Sequence, residues 1–179
     1  MLKVVIIENE QTDQPPVNAL FALMCFHASR FEARKNEKGE IVLYHDQDET
    51  LWNDELITKG AYFFNKASQG NKISKYHLEA GIAYWHTIKA DTNEKWENIL
   101  QLYNKLLQLE YSPIAALNRT YALAKANGKA TAITEALKLN LDDNHLYHSL
   151  LGNLYTTVDN AMALQQFEKT FQRAQTNAD

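Results

Sequence analysis

Leu102-Tyr103-Asn104-Lys105-Leu106-Leu107, a short gap, Ser112-Pro113-Ile114-Ala115-Ala116-Leu117-Asn118-Arg119-Thr120-Tyr121-Ala122-Leu123, and then Asn127-Gly128-Lys129-Ala130 form the stretch that decides the fold. Upstream, Trp96, Ile99 and Leu100 join Tyr103, Leu106 and Leu107 in one helical stripe. That helix starts at Thr92 or Asn93. Ser112 supplies an N-cap hydroxyl, and Pro113 has its φ already set for the first helical position. Asn127-Gly128 is a C-terminal stop. Two helices joined by so short a loop pack antiparallel.

The same pattern runs along the chain. Pro15-Pro16 opens a helix with Val17, Leu20, Phe21, Met24, Ala28 and Phe31 at helical spacing, and Leu23 and Phe26 form a second apolar face. Further helices are expected from about Glu49 to Ala67, from Ser74 to about Lys89 (Leu78, Ile82, Trp85), and from Thr131 to Lys138. Asp142/Asp143 opens another, with Tyr147, Leu150, Leu151, Leu154 and Val158, and Asp159 opens the last, with Leu164, Phe167, Phe171 and Ala174. The quoted stretch resembles the second helix and closing proline of one tetratricopeptide repeat, followed by the first helix and turn of the next. The expected fold is therefore all-α: a TPR-like antiparallel helical array, an α-solenoid, over residues 15–174. Residues 1–14 read as the tail of a preceding segment and a linker, and residues 175–179 as a disordered tail. Within the first of these, Lys3 to Glu8 is β-branched and reads as a strand or as the last turns of a helix.

One interruption stands out. Asn36-Glu37-Lys38-Gly39 is a turn, and Ile41-Val42-Leu43 after it is β-prone, so a small β-hairpin is expected near residues 33–43. The acidic stretch His45-Asp46-Gln47-Asp48-Glu49-Thr50-Leu51-Trp52 follows. It begins like a calcium loop but has Leu51 where the sharp turn needs Gly and Ile57 where a bidentate Glu belongs. Asp46 with Glu49 resembles a capping box, and Asp48 suits the positive end of a helix. The competing reading is an interaction site in which Arg30 and Arg34 pair with Asp46 or Asp48. Trp52 reads as core.

Composition excludes several classes. Hydrophobic residues make up 45% of the 179, which suffices for a sizeable core. Six Gly and three Pro are too few for a sandwich or barrel with many tight turns. The net charge of −4, with no Lys/Arg run, argues against direct binding to DNA. The lone Cys25 cannot form an internal disulfide, and a reducing cytoplasmic setting is expected. No apolar run approaches membrane-spanning length. His145 and His148 share a face but lack further ligands, so no metal site is expected, and His27 and His86 read as packing residues. There is no phosphate-cradling glycine loop and no nucleophile elbow, so no cofactor and no enzymatic activity are expected.

Several segments together resemble the C-terminal extension of one subgroup of extracytoplasmic-function sigma factors, bacterial factors with a tetratricopeptide-like domain after their promoter-reading regions. They are Asn18 to Met24, His27-Ala28-Ser29-Arg30, Ala33-Arg34, Gly39 to Leu43, Asp46-Gln47-Asp48, Leu51-Trp52, Leu56-Ile57 with Gly60, Tyr76-His77-Leu78 with Ala80, Ile82, Ala83 and His86, and Ser112-Pro113 to Asn118-Arg119. The resemblance implies a regulatory domain that contacts the sigma core or RNA polymerase. DNA would be reached only through promoter-binding regions that this chain lacks, so an excised domain or a truncated reading frame is expected. Asp46, Gln47, Asp48, Trp52, Arg30 and Arg34 are the implied interaction residues, with Asn118 and Arg119 second. Two alternatives remain: a stand-alone peptide-binding scaffold, or a small-ligand sensor whose pocket uses His27, His86 and the acidic stretch.

Overall fold

The computed structural model describes residues 13–176. Among them are eight α-helices and no strand: α1 Pro15–Ala28, α2 Asp54–Ala67, α3 Lys75–Trp85, α4 Asn93–Leu109, α5 Pro113–Asn127, α6 Lys129–Leu137, α7 His145–Tyr155 and α8 Asn160–Thr176. The expected segment Lys3 to Glu8 lies outside the described residues. The chain divides into two compact units, Met1–Ala90 and Asp91–Asp179.

In the first unit α1 packs against both α2 and α3. Phe21, Ala22, Cys25 and Phe26 from α1 meet Phe63 from α2 and Ala80 and Ala83 from α3. The buried face of α1 runs through Asn18, Ala19, Phe21, Ala22, Cys25 and Phe26. Met24 and Phe31 were expected on the core stripe, but they are exposed. The reason is that two neighbours bury α1 over positions 18/19, 21/22 and 25/26, which turns Met24 outward. Gly60 lets α2 approach: a Cβ there would lie 2.6 Å from Phe26 Cε1, and Phe26 is fully buried.

The second unit is built of sequential pairs: α4 with α5, α5 with α6, α6 with α7 and α7 with α8, with α5 also touching α7. The start signals act as expected. Thr92 Oγ1 accepts from Lys95 N at 3.2 Å, and Asp159 Oδ1 accepts from Ala161 N and Met162 N, both at 3.0 Å. Gly128 takes φ +90° between α5 and α6, a conformation costly for any side chain. Asn144 rather than Asp142 or Asp143 caps α7, accepting from Leu146 N at 2.9 Å. Gly152 admits the Phe167 ring as Gly60 admits Phe26, but Phe167 is 41% exposed.

The hairpin expected at residues 33–43 does not form. Lys35 and Ile41 make a single antiparallel bridge. The first arm is coiled into a 3-10 turn, Glu32–Arg34, and the second runs into another, Tyr44–Asp46. Asn36 is the local reason. Its Oδ1 accepts from Lys38 N and Glu40 N and tightens the turn, and the backbone bonds Asn36 N to Glu40 O and Val42 N to Arg34 O flank the one bridge without extending into strands. The helix expected from Glu49 begins only at Asp54, because Asn53 Oδ1 accepts from Leu56 N at 2.9 Å and is the true N-cap.

The two glycine contacts should respond differently to a methyl group. Gly60→Ala should destabilise the fold by about 1–3 kcal/mol, because Phe26 has nowhere to go. Gly152→Ala should cost clearly less, because the Phe167 ring can swing into solvent. Urea denaturation of the two variants checks the order.

Candidate functional site

The segment between α1 and α2 carries most of the residues singled out above. Its ends are fixed first. Ser29, which follows α1, donates its hydroxyl to Phe26 O at 2.8 Å, and Asn53 N donates to Ser29 O at 2.8 Å. The segment thus leaves α1 and returns beside it. Arg30 then turns inward and is 6% exposed. Its guanidinium carbon lies 5.2 Å from the Tyr44 ring centroid and 5.9 Å from that of Trp52. Tyr44 and Trp52 stack at 6.3 Å and 29°, and Trp52 is 5% exposed. The Tyr44 ring meets His86 edge-on at 4.8 Å, and its hydroxyl donates to His86 O at 3.1 Å, tying the segment to the end of α3. Lys89 Nζ lies 5.9 Å from the Trp52 ring.

The electrostatics are unusual for a protein interior. Arg30 is pushed down to about 10, mainly by burial and next by the Arg34 cation, but it stays charged at neutral pH. Among the described residues it has no carboxylate partner. Its attraction is to the faces of two aromatic rings. Arg30 Nε, Trp52 Nε1 and Gln47 Oε1 are buried polar atoms without a hydrogen bond among the described residues.

The expected pairing of Arg30 and Arg34 with Asp46 and Asp48 is not found. Arg34 Nη2 donates to His27 Nδ1 at 3.0 Å, and its guanidinium lies against the Phe31 ring at 5.7 Å. That bond requires His27 to be neutral at Nδ1. Burial, then Arg34 and Arg30, hold the imidazole below its ordinary 6.5. Asp48 accepts from Thr50 N at 2.9 Å and Thr50 Oγ1 at 2.7 Å, and these bonds lower its pKa. It caps the short Glu49–Leu51 turn, so the capping reading holds for Asp48, but at this turn rather than at α2. Asp46 faces solvent, 3.4 Å from His45 Nε2. No capping box joins Asp46 to Glu49. Gln47 Nε2 donates to Val42 O at 3.5 Å.

Asn118 and Arg119 belong to the second unit. Arg119 Nε donates to Asn104 Oδ1 at 2.6 Å and clamps α5 to α4, while Asn118 is exposed. His148 is buried, bonded to Gln166 Oε1 and Asp142 O, both at 2.8 Å. Among the described residues no three His, Cys, Asp or Glu side chains gather as a metal site. His27 and His86 make separate contacts, one with Arg34 and the other with Tyr44. Tyr44 was not expected at the site, although it joins Arg30, Trp52 and His86. Its only sequence signal is an aromatic at the end of a β-prone run.

The comparisons with known proteins bear on this segment. Residues 1–68 match the model of a family of unknown function, DUF6596, a match that ends with α2. A protein of Rhizobium meliloti (strain 1021), named "Uncharacterized protein R00370", is 36% identical over 145 residues, covering 79% of this chain and 34% of that protein. The chain thus spans about a third of the length of the curated relative it matches. No solved structure matches.

Two outcomes follow from the geometry. Arg30→Met should leave stability within about 1 kcal/mol of the parent or raise it, because an unpaired buried cation carries a desolvation cost that a methionine lacks. Thermal unfolding checks this, and a large loss would show that the ring contacts outweigh that cost. For His27 the neutral form is favoured in the fold, so the unfolded chain binds more protons below 6.5. Stability should be complete above that value and decline as pH falls through it. His27→Gln should flatten this part of the stability–pH curve, above the range where Asp48 and Glu135 (ordinary values 3.8 and 4.5) titrate.

Proposed function

We propose that this chain is the regulatory, protein-interacting part of an extracytoplasmic-function sigma factor, acting at transcription initiation through contacts with the sigma core or RNA polymerase. One observation carries the reading beyond the motif resemblance. The 44–52 segment is pinned from inside by Arg30, Trp52 and the Tyr44–His86 bond, yet it holds the Asp46 and Asp48 carboxylates in solvent. A segment held this firmly presents its charges in fixed positions, which suits recognition of a partner. Paired helices in which alternate members also touch are compatible with a tetratricopeptide-like array. A relative in which the matched region is about a third of the length accords with a domain working inside a larger protein. Among the described residues no helix is long and apolar enough to cross a membrane.

A second reading, a peptide-binding scaffold, has its own observation in the second unit. A cavity of about 560 Å³ is lined by Ile114, Leu141 and Leu146 with Asp142, Asp143 and His145.

The test separates charge from capping. In the full-length factor, Asp46→Asn with Asp48→Asn removes two charges and keeps the amide oxygen that can accept from Thr50. Promoter output should fall at least threefold while thermal unfolding is unchanged. Asp48→Ala alone should lower the melting temperature by losing the cap. Unchanged output from the double Asn variant would remove the sigma-factor reading.

A further inference from the structure

Between Gly39 and Glu55 stand Glu40, Asp46, Asp48, Glu49, Asp54 and Glu55, with no Lys or Arg. All six carboxylates are exposed. Four of them have a local reason to be there. Asp48 caps a turn, Glu40 accepts from Asn36 Nδ2 at 2.7 Å, and Asp54 and Glu55 sit in the first turn of α2, where negative charge is favoured. Those contacts neutralise none of them; the exposed cations of the adjoining turn are Lys35, which is bridged to Ile41, and Lys38.

The same stretch exposes aliphatic side chains. Ile41 is 82% exposed, Leu43 60% and Leu51 49%. Ile41 and Leu43 lie two residues apart on extended backbone, so they point to the same side. Val42 between them is held by its N–H to Arg34 O at 2.9 Å, which keeps that side outward. A scattered surface leucine needs no explanation, but adjacent aliphatics held outward in a stretch with six exposed carboxylates and no Lys or Arg of its own are the anatomy of a docking surface.

We propose that this face binds a basic, amphipathic polypeptide segment whose aliphatic side chains cover Ile41, Leu43 and Leu51 while its Lys or Arg residues meet the surrounding carboxylates. Charge decides the occupant. A second copy would bring two acidic faces together, and a nucleic acid would be repelled. The partner chemistry rests on the reading of the 39–55 face as an interaction site, whatever larger assembly that face serves.

The probe is a synthetic Leu/Lys amphipathic helix of about 18 residues, roughly 27 Å long, together with its Lys→Glu counterpart. Titration into the complete chain by fluorescence anisotropy should show saturable binding of the basic peptide and none of the acidic one. Ile41→Ser with Leu43→Ser should weaken binding at least tenfold, and Asp46→Asn with Glu49→Gln at least threefold. Both variants should keep the far-ultraviolet circular dichroism of the parent, since every substituted side chain is exposed. Equal binding by the Ser variant would mean non-specific charge attraction and overturns the proposal. So does concentration-dependent dimerisation that the Ser variant abolishes, which would make a second copy the occupant. Peptide binding with unchanged promoter output from the Asn variant would remove the sigma-factor reading and leave this one standing. Loss of output without peptide binding would do the reverse.

Discussion

The long connection in the first unit is folded around Arg30, whose cation lies against the Tyr44 and Trp52 rings. Between Ala28 and Asp54 the chain has short turns and one bridge, and most of its backbone hydrogen bonds are local ones that close those turns. A loop of this length normally wanders over the surface. Here it is drawn inward at three points: Arg30 after α1, Tyr44 against the end of α3, and Trp52 just before α2. The Asn53 N–H to Ser29 O bond closes the loop at its base. Removing the rings would leave a buried cation with neither solvent nor a partner, a state costing several kcal/mol. The loop conformation and the charge of Arg30 are therefore one problem with one solution.

That solution explains why Asp46 and Asp48 do not pair with the arginines. An arginine committed to two ring faces points away from the loop's outer surface. Arg34 is engaged with His27 and Phe31, and the bond to His27 needs the imidazole neutral. Arg30 thus faces the interior and Arg34 is occupied at the surface, while Asp46 and Asp48 face water. Neither arginine is left to cover the two carboxylates. A loop stabilised instead by Asp–Arg pairs would be closer to neutral outside and would have less to offer a charged partner.

The fold was legible where one residue type does one job. Ser112-Pro113, Asn127-Gly128, Thr92 and Asp159 each mark a boundary through local chemistry, and each appears in the structure where it was expected. The hairpin was misread because β-propensity at Ile41-Val42-Leu43 is weak against tertiary pull. Asn36 completes the turn with its side chain, and Tyr44 leaves for His86 before a second bridge can form. The buried face of α1 was misread at Met24 for a related reason. Periodicity identifies a stripe but not how many neighbours cover it. At the site, Trp52 was legible as core and Arg30 as important, but the partner of Arg30 was not. Sequence spacing suggests charges for charges, whereas the ring that matters lies 14 residues on and the histidine backing it 42 beyond that.

The arrangement also bears on what kind of residue Arg30 is. If its purpose were stability, an apolar side chain of similar size would serve as well or better, since two rings and a helix end already form a suitable pocket. What an arginine adds is a flat cation that two ring faces attract at once, 5.2 Å from the Tyr44 centroid and 5.9 Å from that of Trp52. The charged neighbour that shifts it is Arg34, not a carboxylate. Asp46 and Asp48 therefore stay exposed without being drawn inward to pair with it. The rings, not an ion pair, settle where Arg30 lies, and the outer carboxylates are left free of it.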